Sequence, residues 1–208
     1  MEQSPIDLTS DTDTSDKMEI IGYNYYDFVK TGHSDSDFSR KIDFNDDALR
    51  ANAELQLTFA DESQSYFTPK QFHFHAPSEH TVDGYLYDAE VHLVHVYKGS
   101  GTDSAGDDLG ASAELYGAVI GIFFDMVEGG STANPFLESV FAAIDDPTSK
   151  VEMRQFLSTI DMRDYFSYDG SFTTPPCTEG IKWSVIKQVQ PISQAQLDKF
   201  KSKMTSNA

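Results

Sequence analysis

The 208-residue chain has one cysteine, few basic residues and no long apolar run. Since Cys177 has no second cysteine to pair with, we expect a buried, small apolar side chain there rather than an intrachain disulfide. Only 15 lysines and arginines accompany 34 aspartates and glutamates, which gives a formal net charge of −19. Nucleic acid and anionic membranes would be repelled by this charge, so neither is an expected partner. No apolar stretch is long enough to span a bilayer.

Composition indicates a folded globular chain. Residues 1–20 are acidic and polar, and therefore do not resemble a signal peptide. The content of 39% hydrophobic and 12% aromatic residues is typical of a chain with a packed core. A chain of this length can hold one sizeable core or two small ones. Because no repeat or linker divides it, we expect a single domain over residues 1–208.

Local patterns predict more strands than helices. Alternating or continuous apolar residues predict strands at about 39–44, 53–59, 70–76, 89–97, 116–125 and 182–188. Two helices are expected, one over 135–144 with Asn134 as N-cap and one over 194–204 capped by Ser193. A helical turn is expected near 151–159.

The histidines carry the most information about function. The chain has six, and five of them lie between positions 73 and 95. His73 and His75 are two apart in a predicted strand, so their side chains share one face. In a second strand Glu90 and His92 share a face, whereas His95 points to the opposite one. If the strands are neighbours, three imidazoles converge, which is a ligand set of catalytic zinc. A His-x-His pair alone is equally compatible with ordinary core or surface residues.

Several segments occur in the order and at the spacing of a known family. They are Gln3–Asp7, Gln71–His75, Ser78–Val82, Ala89–His95, Ala118–Phe123, Tyr165–Tyr168 and Gly170–Gly180. Together they resemble motifs of the α-class carbonic anhydrases. The resemblance implies a mostly β (α+β) fold with a large twisted, mainly antiparallel central sheet and short surface helices. It also implies zinc-dependent, reversible hydration of carbon dioxide to bicarbonate and a proton. Compared with the family, the chain lacks the usual N-terminal aromatic segment and C-terminal closing segment.

The resemblance assigns the metal ligands. It implies that His73, His75 and His92 bind Zn²⁺. Ligand histidines need an acceptor for the second ring nitrogen. Gln71 lies on the face of His73, and Glu90 lies on the face of His92, so each is placed to accept that hydrogen bond. The alternative for Gln71 is an ordinary polar residue of a strand.

The resemblance also assigns a proton relay. Thr173 would accept a hydrogen bond from zinc-bound hydroxide and donate its own proton to Glu79. Thr174 would contact bicarbonate, and His80 would support Glu79 and Tyr168. Without the resemblance, the Thr-Thr-Pro-Pro run indicates only a turn.

Carbon dioxide carries no charge, so its pocket should be apolar. The positions that match the family's pocket wall are Val94, Val119, Phe172, Ile181 and Trp183. His33 resembles the family's proton shuttle, a role that suits histidine because its unperturbed pKa is ~6.5. The alternative is an exposed histidine in a Ser/Asp-rich turn, and the spacing from His33 to His73 is longer than usual.

Three other functions are alternatives to hydration. A catalytically weak or inactive carbonic anhydrase-related binding protein typically loses a zinc histidine, whereas all three are present here. A zinc hydrolase of esters or peptides lacks support, because neither a His-Glu-x-x-His motif nor a serine nucleophile elbow occurs. A truncated product that folds poorly is the third alternative.

In many secreted family members a cysteine at the position of Cys177 pairs with an N-terminal one, which favours a secreted or extracellular location, although the chain shows no signal peptide. The oligomeric state is not indicated.

Overall fold

The computed structural model describes residues 3–9, 12, 18–29, 33–36, 39–44, 53–100, 116–127, 129–146 and 148–204. Its strands are β1 Asp7–Leu8, β2 Glu19–Asn24, β3 Phe28–Val29, β4 His33–Ser36, β5 Ser39–Asp43, β6 Glu54–Thr58, β7 Gln64–His75, β8 Thr81–Val82, β9 Tyr85–Leu86, β10 Ala89–Ser100, β11 Gly117–Asp125, β12 Lys150–Val151, β13 Tyr165–Ser171 and β14 Glu179–Pro191. Its helices are α1 Pro135–Asp145, α2 Met153–Leu157 and α3 Gln194–Met204.

One large sheet dominates the described residues. Nine strands form it in the order β13-β14-β11-β10-β7-β5-β4, with β6 added to β7 and β2 added to β6. The pairs are antiparallel except β11 with β14, which is parallel. Two small sheets, β1-β8-β9 and β12-β3, accompany it. The predicted mostly β fold with a large, mainly antiparallel sheet is confirmed.

The two histidine-bearing strands are direct neighbours. β10 runs antiparallel between β7 and β11, and His92 lies opposite His73 in its register. Glu90 lies opposite His75 in the same register. Because side chains alternate along a strand, these four residues are placed on one face of the sheet. A register shift follows at Val94/His95, beyond the histidines that the site needs.

The opposite faces of the sheet bury different sets of side chains. Phe72, Phe74, Val91 and Leu93 belong to a large aromatic-rich core. The helices cover this core, which also contains the buried apolar residues of α1, α2 and α3. Val94 and Val119 instead belong to a second, smaller cluster on the histidine face. Because of this alternation, one face of the sheet packs against the large core, and the other face carries the histidines.

The helix termini agree with their sequence signals. The Asn134 side chain accepts a hydrogen bond from the Phe136 N–H at 3.0 Å, which caps α1 as predicted. The Ser193 hydroxyl accepts from the Gln196 N–H at 3.3 Å at the start of α3. In the part of the chain that the structure describes, no helix combines the length and apolarity that a membrane crossing requires.

His95 lies on the core side of β10, as its position in the strand predicted. It is fully buried. Its Nδ1 lies 3.2 Å from the Ala118 carbonyl oxygen, and its Nε2 is hydrogen-bonded to the Tyr25 hydroxyl. Burial lowers the pKa of His95 to about 4. The face of β10 opposite His92 is therefore part of the core at His95.

We expect this histidine to make stability depend on pH. The pKa of His95 is lower in the folded chain than the ~6.5 of an unfolded chain, so its contribution is complete above pH ~6.5 and is lost as the pH falls toward 4. The loss should reach about 3 kcal/mol at pH ~4. Denaturant unfolding of wild type and His95→Gln over this range measures it. The variant should show a flatter pH profile, and identical slopes for the two chains would contradict the assignment.

Candidate metal centre

Three buried histidines converge on the face of the sheet opposite the helices. His73 and His75 project from the end of β7, and His92 projects from β10. One ring nitrogen of each lies within 4.8 Å of the others. The ring centroids are 4.9 Å apart for His73 and His75, 5.2 Å for His73 and His92, and 4.6 Å for His75 and His92. The structure thus brings together the three residues predicted as ligands.

The surroundings of the ring nitrogens differ among the three histidines. The His73 Nδ1 lies 2.9 Å from the Gln71 side-chain oxygen. The His92 Nε2 lies 3.0 Å from Glu90 Oε1, an ion-pair contact that does not have hydrogen-bond geometry. The His75 Nε2 is buried and has no hydrogen-bond partner among the described residues. A buried nitrogen that no protein group satisfies is what a missing metal ion would explain.

The protonation state of the site also suits a cation. Burial, with a further contribution from His92, lowers the pKa of His75 to about 3. His75 is therefore neutral at neutral pH, and neutral imidazole is the form that binds metals. Three imidazole nitrogen donors at this separation fit a four-coordinate zinc ion with one open position.

Glu90 is the hub of the hydrogen bonds behind the histidines. It is fully buried. Its Oε1 lies 2.8 Å from His80 Nδ1 and 3.0 Å from His92 Nε2. Its Oε2 accepts hydrogen bonds from the backbone N–H groups of Glu79 at 2.9 Å and His80 at 3.0 Å. Burial alone would raise the pKa of Glu90, but His92 and His80 outweigh it and hold this pKa well below the usual range.

His80 lies behind Glu90 rather than beside the Glu79 side chain. Its Nε2 lies 2.6 Å from the Tyr168 hydroxyl, as predicted for that pair. Its Nδ1 faces Glu90, so His80 and Glu79 are connected through the carboxylate that both bind. Burial raises the pKa of Tyr168, which therefore stays a neutral hydrogen-bonding group.

The Glu79 carboxylate faces the histidines. Its Oε1 lies 3.3 Å from His75 Nδ1, and its Oε2 lies 3.9 Å from His92 Nδ1. That Oε2 is buried and has no hydrogen-bond partner within the described residues. Thr173 and Thr174 lie half-buried in the connection from β13 to β14. No hydrogen bond between Thr173 and Glu79 occurs in the described structure, so the predicted relay is not formed here.

The residues predicted as a pocket wall form one apolar cluster. Its members include Val94, Val119, Phe172, Ile181 and Trp183. The Trp183 ring packs edge-on against His92, with centroids 4.8 Å apart. The Trp183 indole N–H donates to the Ser171 carbonyl at 3.0 Å, which fixes the ring. The described residues thus place an apolar wall beside the three imidazoles.

Sequence reasoning missed three residues that shape the site. Gly121 lies opposite His92, and a Cβ at that position would lie 2.9 Å from Glu90 Oε1. The Ser4 hydroxyl lies 2.9 Å from the Tyr168 hydroxyl, and Tyr116 packs edge-on against Phe172. Ser4 and Gly121 each lie inside a segment that resembles a family motif, Gln3–Asp7 and Ala118–Phe123, so those segments were the available signal. Tyr116 gave no local signal.

Two other residues singled out by the sequence are His33 and Cys177. His33 begins β4 and pairs with Ile42, so its backbone is in a strand and not in the Ser/Asp-rich turn considered as the alternative. The orientation of its side chain lies outside what the structure describes. Cys177 is half-buried, not buried as expected, because it follows two prolines in an exposed turn and its N–H donates to the Thr174 carbonyl.

Comparison with known proteins identifies the family. A family model described as eukaryotic-type carbonic anhydrase matches residues 1–208. The chain belongs to this family.

Individual carbonic anhydrases show the extent of the similarity. Carbonic anhydrase 1 of Oryctolagus cuniculus is 33% identical over 224 residues, covering 99% of this chain and 87% of that protein. Alpha carbonic anhydrase 3 of Arabidopsis thaliana is 30% identical over 203 residues, and the match covers 94% of this chain but only 64% of that protein. The α-carbonic anhydrase of Thermovibrio ammonificans, solved with the inhibitor sulfanilamide, has a TM-score of 0.68 at 30% identity over 98% of this chain and 79% of that one.

Proposed function

We propose that the protein binds one zinc ion through His73, His75 and His92 and catalyses the reversible hydration of carbon dioxide. One observation carries the proposal, namely three buried, converging imidazoles together with a His75 Nε2 that is buried and has no hydrogen-bond partner among the described residues. The apolar cluster beside them suits an uncharged substrate. The relatives named carbonic anhydrase support the same reaction.

The chain's own residues prepare this site. Bound zinc would acidify a water molecule to a pKa of about 7, a value established for carbonic anhydrases. Gln71 and Glu90 hold the rings of His73 and His92 in place through their second nitrogens. An imidazole that binds a metal carries no charge of its own, so three such ligands would leave the metal its full positive charge. The hydrogen bonds of Glu90 are complete before any substrate arrives, which means that the site needs little rearrangement.

The substrate side is built from apolar and hydroxyl groups. The wall around Trp183 and Val119 would hold carbon dioxide by exclusion of water. We assign Thr173 to orienting the acidified water and Thr174 to contacting bicarbonate. We assign the Oε2 of Glu79, which is buried without a hydrogen-bond partner among the described residues, as the acceptor for the Thr173 hydroxyl.

Zinc analysis together with carbon dioxide hydration tests the proposal. The purified chain should contain about one zinc per molecule and accelerate hydration, because three histidines leave one coordination position for water. Removal of the metal with a chelator should abolish the rate, and added zinc should restore it. A chain that folds, binds zinc and leaves hydration at the rate of buffer alone would exclude the enzyme in favour of a binding protein.

His33 is our candidate for the group that carries the proton to solvent. If so, His33→Ala should slow turnover in weak buffer, and added imidazole should restore much of the rate because it replaces the missing base. The loss should follow a group with a pKa of ~6.5. Stopped-flow hydration at several buffer concentrations measures this. Wild-type turnover of the variant at low buffer concentration would remove His33 from the mechanism.

A further inference from the structure

A carboxylate lies beside the middle histidine of the site. The Glu79 Oε1 lies 3.3 Å from the Nδ1 of His75, the nitrogen on the other side of the ring from the unpartnered Nε2. Both side chains are largely withdrawn from water, with 8% of His75 and 26% of Glu79 exposed. A carboxylate at this position can accept only from an Nδ1–H. It therefore favours the tautomer whose Nε2 is unprotonated.

The loop after β7 fixes Glu79 in this place through its backbone. The Ser78 N–H donates to the Tyr87 carbonyl at 3.0 Å, and the Ser78 hydroxyl donates to the His80 carbonyl at 2.7 Å. The Glu79 N–H donates to Glu90 Oε2 at 2.9 Å. Glu90 is itself the register partner of His75 across the sheet. The loop begins directly after His75, and these hydrogen bonds hold it so that the Glu79 carboxylate lies beside the His75 ring.

Each of the three proposed ligands then has a side-chain oxygen beside the ring nitrogen that would not bind the metal. His73 has the Gln71 oxygen at its second nitrogen, and His92 has Glu90. Ligand histidines generally need such an acceptor, because it fixes the tautomer and the orientation of the ring and raises its basicity. Glu79 is the group that the described structure places at the second nitrogen of His75.

We propose that Glu79 is a positioning residue for His75 and holds its Nε2 ready for the metal. This role differs from the relay to Thr173 and uses the other carboxylate oxygen, since Oε1 faces His75 while Oε2 has no hydrogen-bond partner. Glu90 consequently positions two ligands, His92 by direct contact and His75 through the backbone of Glu79. The inference rests on the proposed zinc site.

Zinc affinity measured by competition with a chromophoric chelator tests this role. Glu79→Ala should bind zinc about 10–100-fold more weakly than wild type, the loss typical of removing an acceptor from a ligand histidine. Glu79→Gln should recover most of the affinity because its amide oxygen still accepts from Nδ1–H. Glu19→Ala, at an exposed glutamate on β2, is the matched control and should not change.

Thr173→Ala separates the two roles of the carboxylate. It should retain wild-type zinc affinity, because it removes only the partner proposed for Oε2. If Glu79 served the relay alone, Glu79→Ala would bind zinc as tightly as Thr173→Ala does, and the inference would be overturned. A wild-type chain that binds no zinc would instead overturn the proposed function, and this inference with it.

A spectroscopic reading covers the case in which Glu79→Ala does not fold. In the zinc-loaded wild type, the Nδ1–H proton of His75 should give a nuclear magnetic resonance signal that exchanges slowly with water. Glu79→Gln, with its weaker neutral acceptor, should exchange this proton faster. Rapid exchange in the wild type, or equal rates in the two chains, would show that Glu79 does not hold the ring.

Discussion

Replacement of His92 by alanine should leave the purified chain with almost no bound zinc and no measurable hydration. His92 projects from β10 opposite His73, and its ring centroid lies 5.2 Å from that of His73 and 4.6 Å from that of His75. Its removal leaves two donors from a single strand, which is too few for a stable tetrahedral site. Metal analysis after gel filtration measures the loss directly.

The same strand offers a matched control. His95 is also buried, but its ring faces the core, where Nδ1 contacts the Ala118 carbonyl. His95→Gln should therefore retain zinc although it removes another buried imidazole of β10. Full zinc occupancy in His92→Ala would refute the ligand assignment, and zinc loss in both variants would point to a general loss of structure.

The second large effect is expected at Thr173, where alanine should slow hydration strongly while zinc remains bound. A hydroxyl that orients the reacting water acts in the transition state, and the loss of one such oriented group costs about 2–4 kcal/mol in comparable sites. Thr173 lies half-buried after β13 and contributes no metal donor. The ratio kcat/KM together with zinc content separates the loss of orientation from the loss of metal.

Thr173→Ser provides the comparison for this variant. Serine retains the hydroxyl and removes one methyl group, so it should recover a large part of the rate. If Thr173→Ala turned over at the wild-type rate with full zinc, the hydroxyl would have no part in the reaction. Loss of zinc in Thr173→Ala would place this residue in the scaffold of the site.

Short-range patterns were sufficient to place the three predicted ligands on one face of the sheet. Two-residue alternation put His73 and His75 on one face and separated His92 from His95, and the register of β7 and β10 confirms that arrangement. The caps at Asn134 and Ser193 were equally local signals, and both are present in the structure. Strand ends were predicted less well. β7 and β14 extend beyond the predicted ranges, and β13 was not predicted as a strand.

Contacts between distant segments could not be read from local patterns. Gly121 matters because Glu90 approaches it from the neighbouring strand, and only the register of β10 and β11 reveals this. The turn between His75 and Glu79 brings the carboxylate back to the ring, a geometry that spacing alone does not fix. The position of Glu90 on the face of His92 was predicted from its place in a strand, but its two backbone donors were not.

The contacts of Glu90 would make a bound zinc ion part of the folding energetics. One carboxylate connects the loop at Glu79 and His80 to His92 on β10, so opening the loop would remove the partners of a buried charge. A ligand that binds only the closed arrangement adds its own binding free energy to that of the loop. The amide protons of Glu79 and His80 would therefore exchange more slowly as zinc fills the site, and their protection would report occupancy without any catalytic assay.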